Sequence, residues 1–124
     1  MNDESSIYLP AGKHSLRLVL DAFAALPEHT ELLSNYPNPC NPETWIPYKL
    51  ADDADVEIRI YTSSGQLIRT LSLGHRLSGF YTGKSEAAYW DGRNEAGENV
   101  ASGIYFYSLR TSGAYQTKKL VIIR

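Results

Sequence analysis

Four oxygen-bearing side chains, Asp91, Asn94, Glu95 and Glu98, crowd one glycine-bearing loop, and hard cations such as calcium are held by clustered oxygens of this kind. Their spacing departs from the Asp-x-Asp-x-Asp-Gly register of an EF-hand loop. Asp, Asn and Gly are also what tight turns require, so turn chemistry is the favoured reading and no metal is assigned. The three histidines, His14, His29 and His75, are far apart in sequence, and none stands at ligand spacing from Cys40; they read as solvated surface groups. A nucleophilic pairing of Cys40 with a histidine lacks any orienting or oxyanion motif. The chain therefore reads as non-enzymatic, with no catalytic residue and no cofactor.

Two other groups of residues can meet a partner. Nine tyrosines and two tryptophans offer rings that stack on sugars, although in a domain of this size most such rings fill the core. Trp90 reads as core. Trp45, in a proline-bounded run, is the ring expected at the surface and the anchor of an alternative role in binding a glycan or surface polymer. At the chain's end, Lys118, Lys119 and Arg124 make the last strand basic. Lysines on an edge strand discourage accidental sheet pairing, and the same residues suit recognition by a secretion or assembly partner; both readings stand.

Composition bounds these options. With 124 residues, 43% of them hydrophobic, the chain suits one domain with a sizeable core and a short appendage. A net charge of -2 gives no basic face for nucleic acid. A single cysteine rules out an intrachain disulfide. The N-terminus lacks the basic and apolar parts of a signal peptide, and no apolar run has the length of a membrane span, so any export signal is expected upstream.

The elements that position these residues follow from periodicity. Pro10 and Gly12 interrupt the lead-in. Leu16, Val19, Leu20, Phe23 and Leu26 then recur at helical spacing, which predicts an amphipathic helix over 15–26 that ends at Pro27. The alternation of Leu16, Leu18 and Leu20 also fits a strand, and the helix is favoured. Such a helix has an apolar face to pack on the domain or to use in self-association. From Asn35 to Leu50 four prolines predict an extended approach with bends, and Pro47 demotes the run Thr44 to Lys49 to an edge strand. Val56, Ile58 and Ile60 alternate with Glu57 and Arg59 in the clearest strand, and Ser64-Gly65 turns it into a return strand ending at Leu73. Residues 75–83 read as a loop pinned by Phe80 and Tyr81. A short strand at 87–90 follows, then a central strand from Gly103 covered on both sides, and a last strand over 115–123. About seven antiparallel strands with regular turn signals predict an all-β, immunoglobulin-like sandwich over 31–124, preceded by a lead-in and helix over 1–30.

The runs NYPNPCNPETWIPYKL, SSGQLIRTL, YWDGRNEAGENVASGIYFYSL and KKLVIIR, in that order, resemble the C-terminal immunoglobulin-like modules of bacterial secreted proteins. Those modules include the Ig-like domain of the flagellar hook-assembly scaffold protein and the type A sorting domains of type IX secretion. The resemblance covers about residues 32–124. The family's N-P-F-N-P pattern is met by Asn38, Pro39, Asn41 and Pro42, with Cys40 in place of the aromatic; Trp90 to Tyr107 matches throughout. The resemblance implies a non-catalytic C-terminal module for sorting, anchoring or assembly of a larger exported protein, secreted or held at the cell surface by a secretion or assembly protein. Its structural residues would be Trp90, Asp91, Gly92, Gly97 and Gly103, with Asn38 and Asn41 fastening the approach segment through side-chain to backbone hydrogen bonds.

Overall fold

The computed structural model describes residues 26–124. The lead-in and nearly all of the helix expected over 15–26 lie outside these residues. Nine strands follow: β1 (Glu31–Leu32), β2 (Thr44–Ile46), β3 (Tyr48–Leu50), β4 (Ala54–Thr62), β5 (Leu67–Arg76), β6 (Gly79–Tyr81), β7 (Ala88–Trp90), β8 (Gly103–Arg110) and β9 (Tyr115–Ile122). Among the described residues no helix is long and apolar enough to cross a membrane.

The alternation in β4 does what its sequence dictates: Val56, Ile58 and Ile60 are buried and their neighbours half-exposed. The Ser64-Gly65 turn, with Gly65 at a φ of 93°, returns the chain as β5. With β8 and β9 these strands form a four-stranded antiparallel sheet in the order β5-β4-β8-β9. The opposing layer is built from short pieces. β2 pairs with β7, and β3 lies between β1 and β6. Leu32, Ile46, Tyr48, Leu50 and Trp90 from this layer close over Ile58, Ile60, Tyr107, Leu109, Leu120 and Ile122 from the larger sheet in one core.

Several expectations are corrected. Pro47 does not make an edge strand; it divides one run into β2 and β3, which have partners on both sides. Without an N–H it cannot continue the ladder, yet its carbonyl accepts from Leu33 N at 3.0 Å. Residues 75–83 are not all loop. β5 runs on to Arg76 past a bulge at Gly74, and Gly79–Tyr81 pairs with β3, where Tyr81 stacks on Tyr48 at 4.8 Å. β8 is flanked by β4 and β9, and its two faces are covered unequally. Tyr105, Tyr107 and Leu109 on the core face are buried; on the other face Ser108 is fully buried and Phe106 half-buried, whereas Ile104 is 48% exposed. Short β1 and β6, together with the split at Pro47, bring the count above the seven expected.

Trp90 is fully buried, packs edge-on against Tyr105 at 6.3 Å and donates its indole N–H to Arg93 O at 2.9 Å. Two residues on, Gly92 has a φ of 78°, and a Cβ there would stand 2.5 Å from Pro42 Cβ, so only glycine lets the turn pack on the approach segment. Tyr107 binds the layers together: its hydroxyl donates to Leu33 O at 2.8 Å and accepts from Asn35 N at 2.9 Å. Burial pushes that phenol up to about 12 from the ordinary 10.0.

Replacing Trp90 by alanine is expected to cost about 3 to 5 kcal/mol in denaturant melts; an unchanged midpoint would refute the core placement. Tyr107 sets a pH dependence. Its folded pKa lies above its unfolded one, so its neutral form is stabilised by folding. That stabilisation is whole below pH 10.0 and disappears as pH rises through about 12. Up to ~3 kcal/mol should be lost across that window. Burial also pushes Tyr48 and Cys40 up, which acts in the same direction. Urea midpoints of Tyr107→Phe should start lower and fall less steeply over the same range.

Candidate functional site

β9 lies along the margin of the larger sheet, and Lys118 and Lys119 are exposed on it. The outer side of this strand is closed at both ends. At one end Val121 N donates to Asn38 Oδ1 at 3.1 Å, Cys40 N donates to Val121 O at 2.9 Å, and Ile123 N donates to Cys40 O at 2.9 Å. At the other the Gln116 amide donates to Thr30 O at 2.9 Å and accepts from Leu32 N at 2.7 Å. Thr117 to Lys119 lie between the two clasps. Among the described residues no backbone bond crosses from their outer side, and no carboxylate pairs with either lysine.

Arg124 is placed differently from the two lysines. Its guanidinium donates to Gly92 O at 3.1 Å and Val100 O at 2.5 Å, and its backbone N donates to Ser102 Oγ at 2.9 Å. It ties the chain end to the loop between β7 and β8. Asn38 makes the side-chain to backbone bond described above; Asn41 is exposed and makes none among the described residues.

The Asp91 to Glu98 loop spends its oxygens on the protein. Asp91 Oδ1 accepts from Arg93 N and from Arg69 Nη1, each at 3.0 Å. Asn94 Oδ1 accepts from Ala96 N and Glu98 N, and Glu95 Oε2 accepts from Thr70 N at 2.7 Å. Gly97, at a φ of 82°, closes the turn. The arrangement is turn and sheet-edge chemistry, since Glu95 caps the outer side of β5. Cys40 is fully buried, and burial pushes its thiol up, which disfavours the thiolate a nucleophile needs. His75 Nδ1 lies 3.1 Å from Asp55 Oδ1 on the surface, and His29 is exposed.

Trp45 faces away from the core, as its alternation with buried Thr44 and Ile46 requires. The structure adds neighbours that sequence reasoning missed. Trp45 is bridged by Tyr36 on one side and paired with Tyr89 on the other, their ring centroids 6.4 and 5.5 Å from its own, and Lys84 Nζ sits 4.3 Å from the Trp45 centroid. The one local signal was that Tyr89 must face opposite to Trp90; the rest depends on strand register.

The profile of the FlgD Ig-like domain matches residues 43–115. No curated protein matches the chain. Among solved structures, dimeric latent PorU from Porphyromonas gingivalis is similar at 19% identity and a TM-score of 0.56, over 76% of this chain and 9% of PorU. PorZ, an essential surface component of the type-IX secretion system of the same bacterium, is similar at 21% identity and a TM-score of 0.51, over 73% of this chain and 11% of PorZ. At these identities the likeness is one of fold, and the chain spans about a tenth of either neighbour.

Replacing Arg124 by alanine should lower stability by about 1 to 2 kcal/mol, the scale of two charge-assisted bonds to carbonyls. Thermal melts read this directly, and an unchanged midpoint would remove Arg124 from the structural role.

Proposed function

We propose, from the premise that this chain belongs to the FlgD Ig-like domain family, that it is a non-catalytic sorting, anchoring or assembly module of a larger exported bacterial protein. The observation that carries this reading is the Thr117 to Lys119 stretch. Among the described residues it leaves outward backbone groups unbonded and two exposed ammonium groups without a carboxylate partner on a strand that is otherwise clasped. An exposed edge supplies main-chain donors and acceptors to an added strand, and the lysines select an acidic one. A partner of the secretion or surface-assembly machinery fits this surface, and a location outside the cell or at its surface follows. The fold likeness to a component of type-IX secretion favours that route. Absence of catalysis is part of the same proposal. It is supported by a buried cysteine with a raised pKa and by carboxylates occupied as turn acceptors.

Arg124 and the Val121 to Ile123 clasp hold the fold, so deleting the end of the chain would confound recognition with unfolding. The test is a charge reversal, Lys118→Glu with Lys119→Glu, in the full chain fused to an exported reporter in a bacterium with type-IX secretion. Surface or medium reporter should fall about tenfold or more while the melting midpoint stays within a few degrees. Undiminished export from the folded double variant overturns the recognition role.

A further inference from the structure

Tyr36, Trp45 and Tyr89 form one row across three adjacent extended segments on the outer face of the smaller layer. Their inward neighbours Thr44, Ile46, Ala88 and Trp90 are buried, so the core is complete without them. Tyr89 is 47% exposed, and Tyr36 and Trp45 are half-buried. Both tyrosine rings are held at their outer ends. Tyr36 reaches across the centre of the layer to donate to Thr82 O at 2.6 Å, and Tyr89 donates to Glu43 Oε1 at 2.8 Å. Rings fixed in this way lose little side-chain freedom when something lies on them.

Two charges of opposite sign stand beside the rings: Lys84, with Nζ 4.3 Å from the Trp45 centroid, and Glu43, which accepts from the Tyr89 hydroxyl. The Glu86 carboxylate is turned to its own loop, where it accepts from Gly83 N and Ser85 Oγ, and Lys49 pairs with Glu31 at 3.3 Å. A face that combines ring π-faces with one ammonium donor and one carboxylate acceptor complements an uncharged ligand with an apolar face and a hydroxylated rim. A pyranose with equatorial hydroxyls has that form: its axial C–H groups carry the partial positive charge that an aromatic face attracts, and its edge offers hydroxyls to both charged groups. Rings at successive strand positions suit successive sugars of an extended chain.

We propose that Tyr36, Trp45 and Tyr89, with Lys84 and Glu43, form a binding site for a neutral, β-linked glycan of equatorially hydroxylated hexopyranoses. Trp45 takes the central sugar. Lys84 leaves its position over the indole when the sugar stacks and donates to the sugar's hydroxyls. The site lies on the opposite layer from Lys118 and Lys119, so it adds a second binding surface to the module rather than restating the first.

The test is affinity electrophoresis of the full chain in gels containing hydroxyethylcellulose, with α-mannan as the control polymer, and tryptophan fluorescence on the same polymers. Hydroxyethylcellulose should retard the protein and shift the emission, because Trp45 is reachable and Trp90 is buried. Mannan should do neither. Trp45→Ala should weaken retardation about tenfold or more, the scale of losing a central aromatic contact, and abolish the emission change. Trp45→Phe should keep part of the retardation, which separates a lost ring from a disturbed fold. Lys119→Ala should leave binding unchanged. Silence on hydroxyethylcellulose by both readouts overturns the proposal, as does retardation that survives Trp45→Ala. Attachment of the chain to bacterial cells that resists glucan competition but is lost after protease treatment overturns it in favour of a protein partner.

Discussion

The structure depends on one pairing between distant parts of the chain, that of the Cys40 backbone with Val121 and Ile123. Two main-chain hydrogen bonds here, reinforced by the Asn38 side chain on Val121 N, dock the approach segment against the end of β9. The approach segment in turn supplies Pro42, against which Gly92 packs, and the chain end supplies Arg124, which binds the carbonyls of Gly92 and Val100. Both ends of the module thus converge on the loop that follows Trp90. Cys40 is suited to this junction: it is fully buried, small, and directs Sγ to Val121 O at 3.4 Å. An aromatic at that position would require a pocket between the approach segment and β9 that Cys40 does not need.

That closure changes the meaning of the terminal strand. A strand at a sheet margin usually presents a continuous row of free backbone groups, which is a hazard as well as an opportunity. Here the hazard is confined, because the Cys40 and Gln116 clasps cover the two ends and leave Thr117 to Lys119 between them. The opposite margin is treated similarly, with Glu95 capping Ile68 and Thr70 and a bulge at Gly74 disturbing the remainder. A short window that carries two lysines is too small for indiscriminate pairing, and its charge restricts what can add there.

Much of the larger sheet was legible in the sequence because its determinants are local. The period-two alternation of Val56, Ile58 and Ile60, the positive-φ glycine after Ser64, and the all-or-none burial of a tryptophan before a glycine-rich turn each act within a few residues. The smaller layer was not legible in the same way. β1 and β6 have two and three residues, too few for a period to show, and become strands only because β3 lies between them. Pro47 signals an interruption, but whether that means an edge or a division between two paired strands depends on what lies alongside. The role of Arg124 was hidden for a related reason: its acceptors are carbonyls 24 and 32 positions away, and carbonyls leave no trace in residue type.

The same distinction explains why the aromatic row escaped a reading that identified one of its members. Trp45 could be assigned to the surface from its own alternation, whereas Tyr36 and Tyr89 become its neighbours through register across segments 9 and 44 residues away. Register is a non-local quantity, set by core positions such as Thr44, Ile46 and Trp90 whose side chains face the other way. The residues that hold the layer together therefore decide which surface rings meet, and core packing fixes the geometry of a surface it never touches. A change that slipped β2 by one position against β7 would turn Trp45 inward and dismantle the row and the core together. That coupling ties the surface arrangement to the integrity of the fold, and it locates any ligand specificity of the row in the spacing of its strands as much as in its exposed side chains.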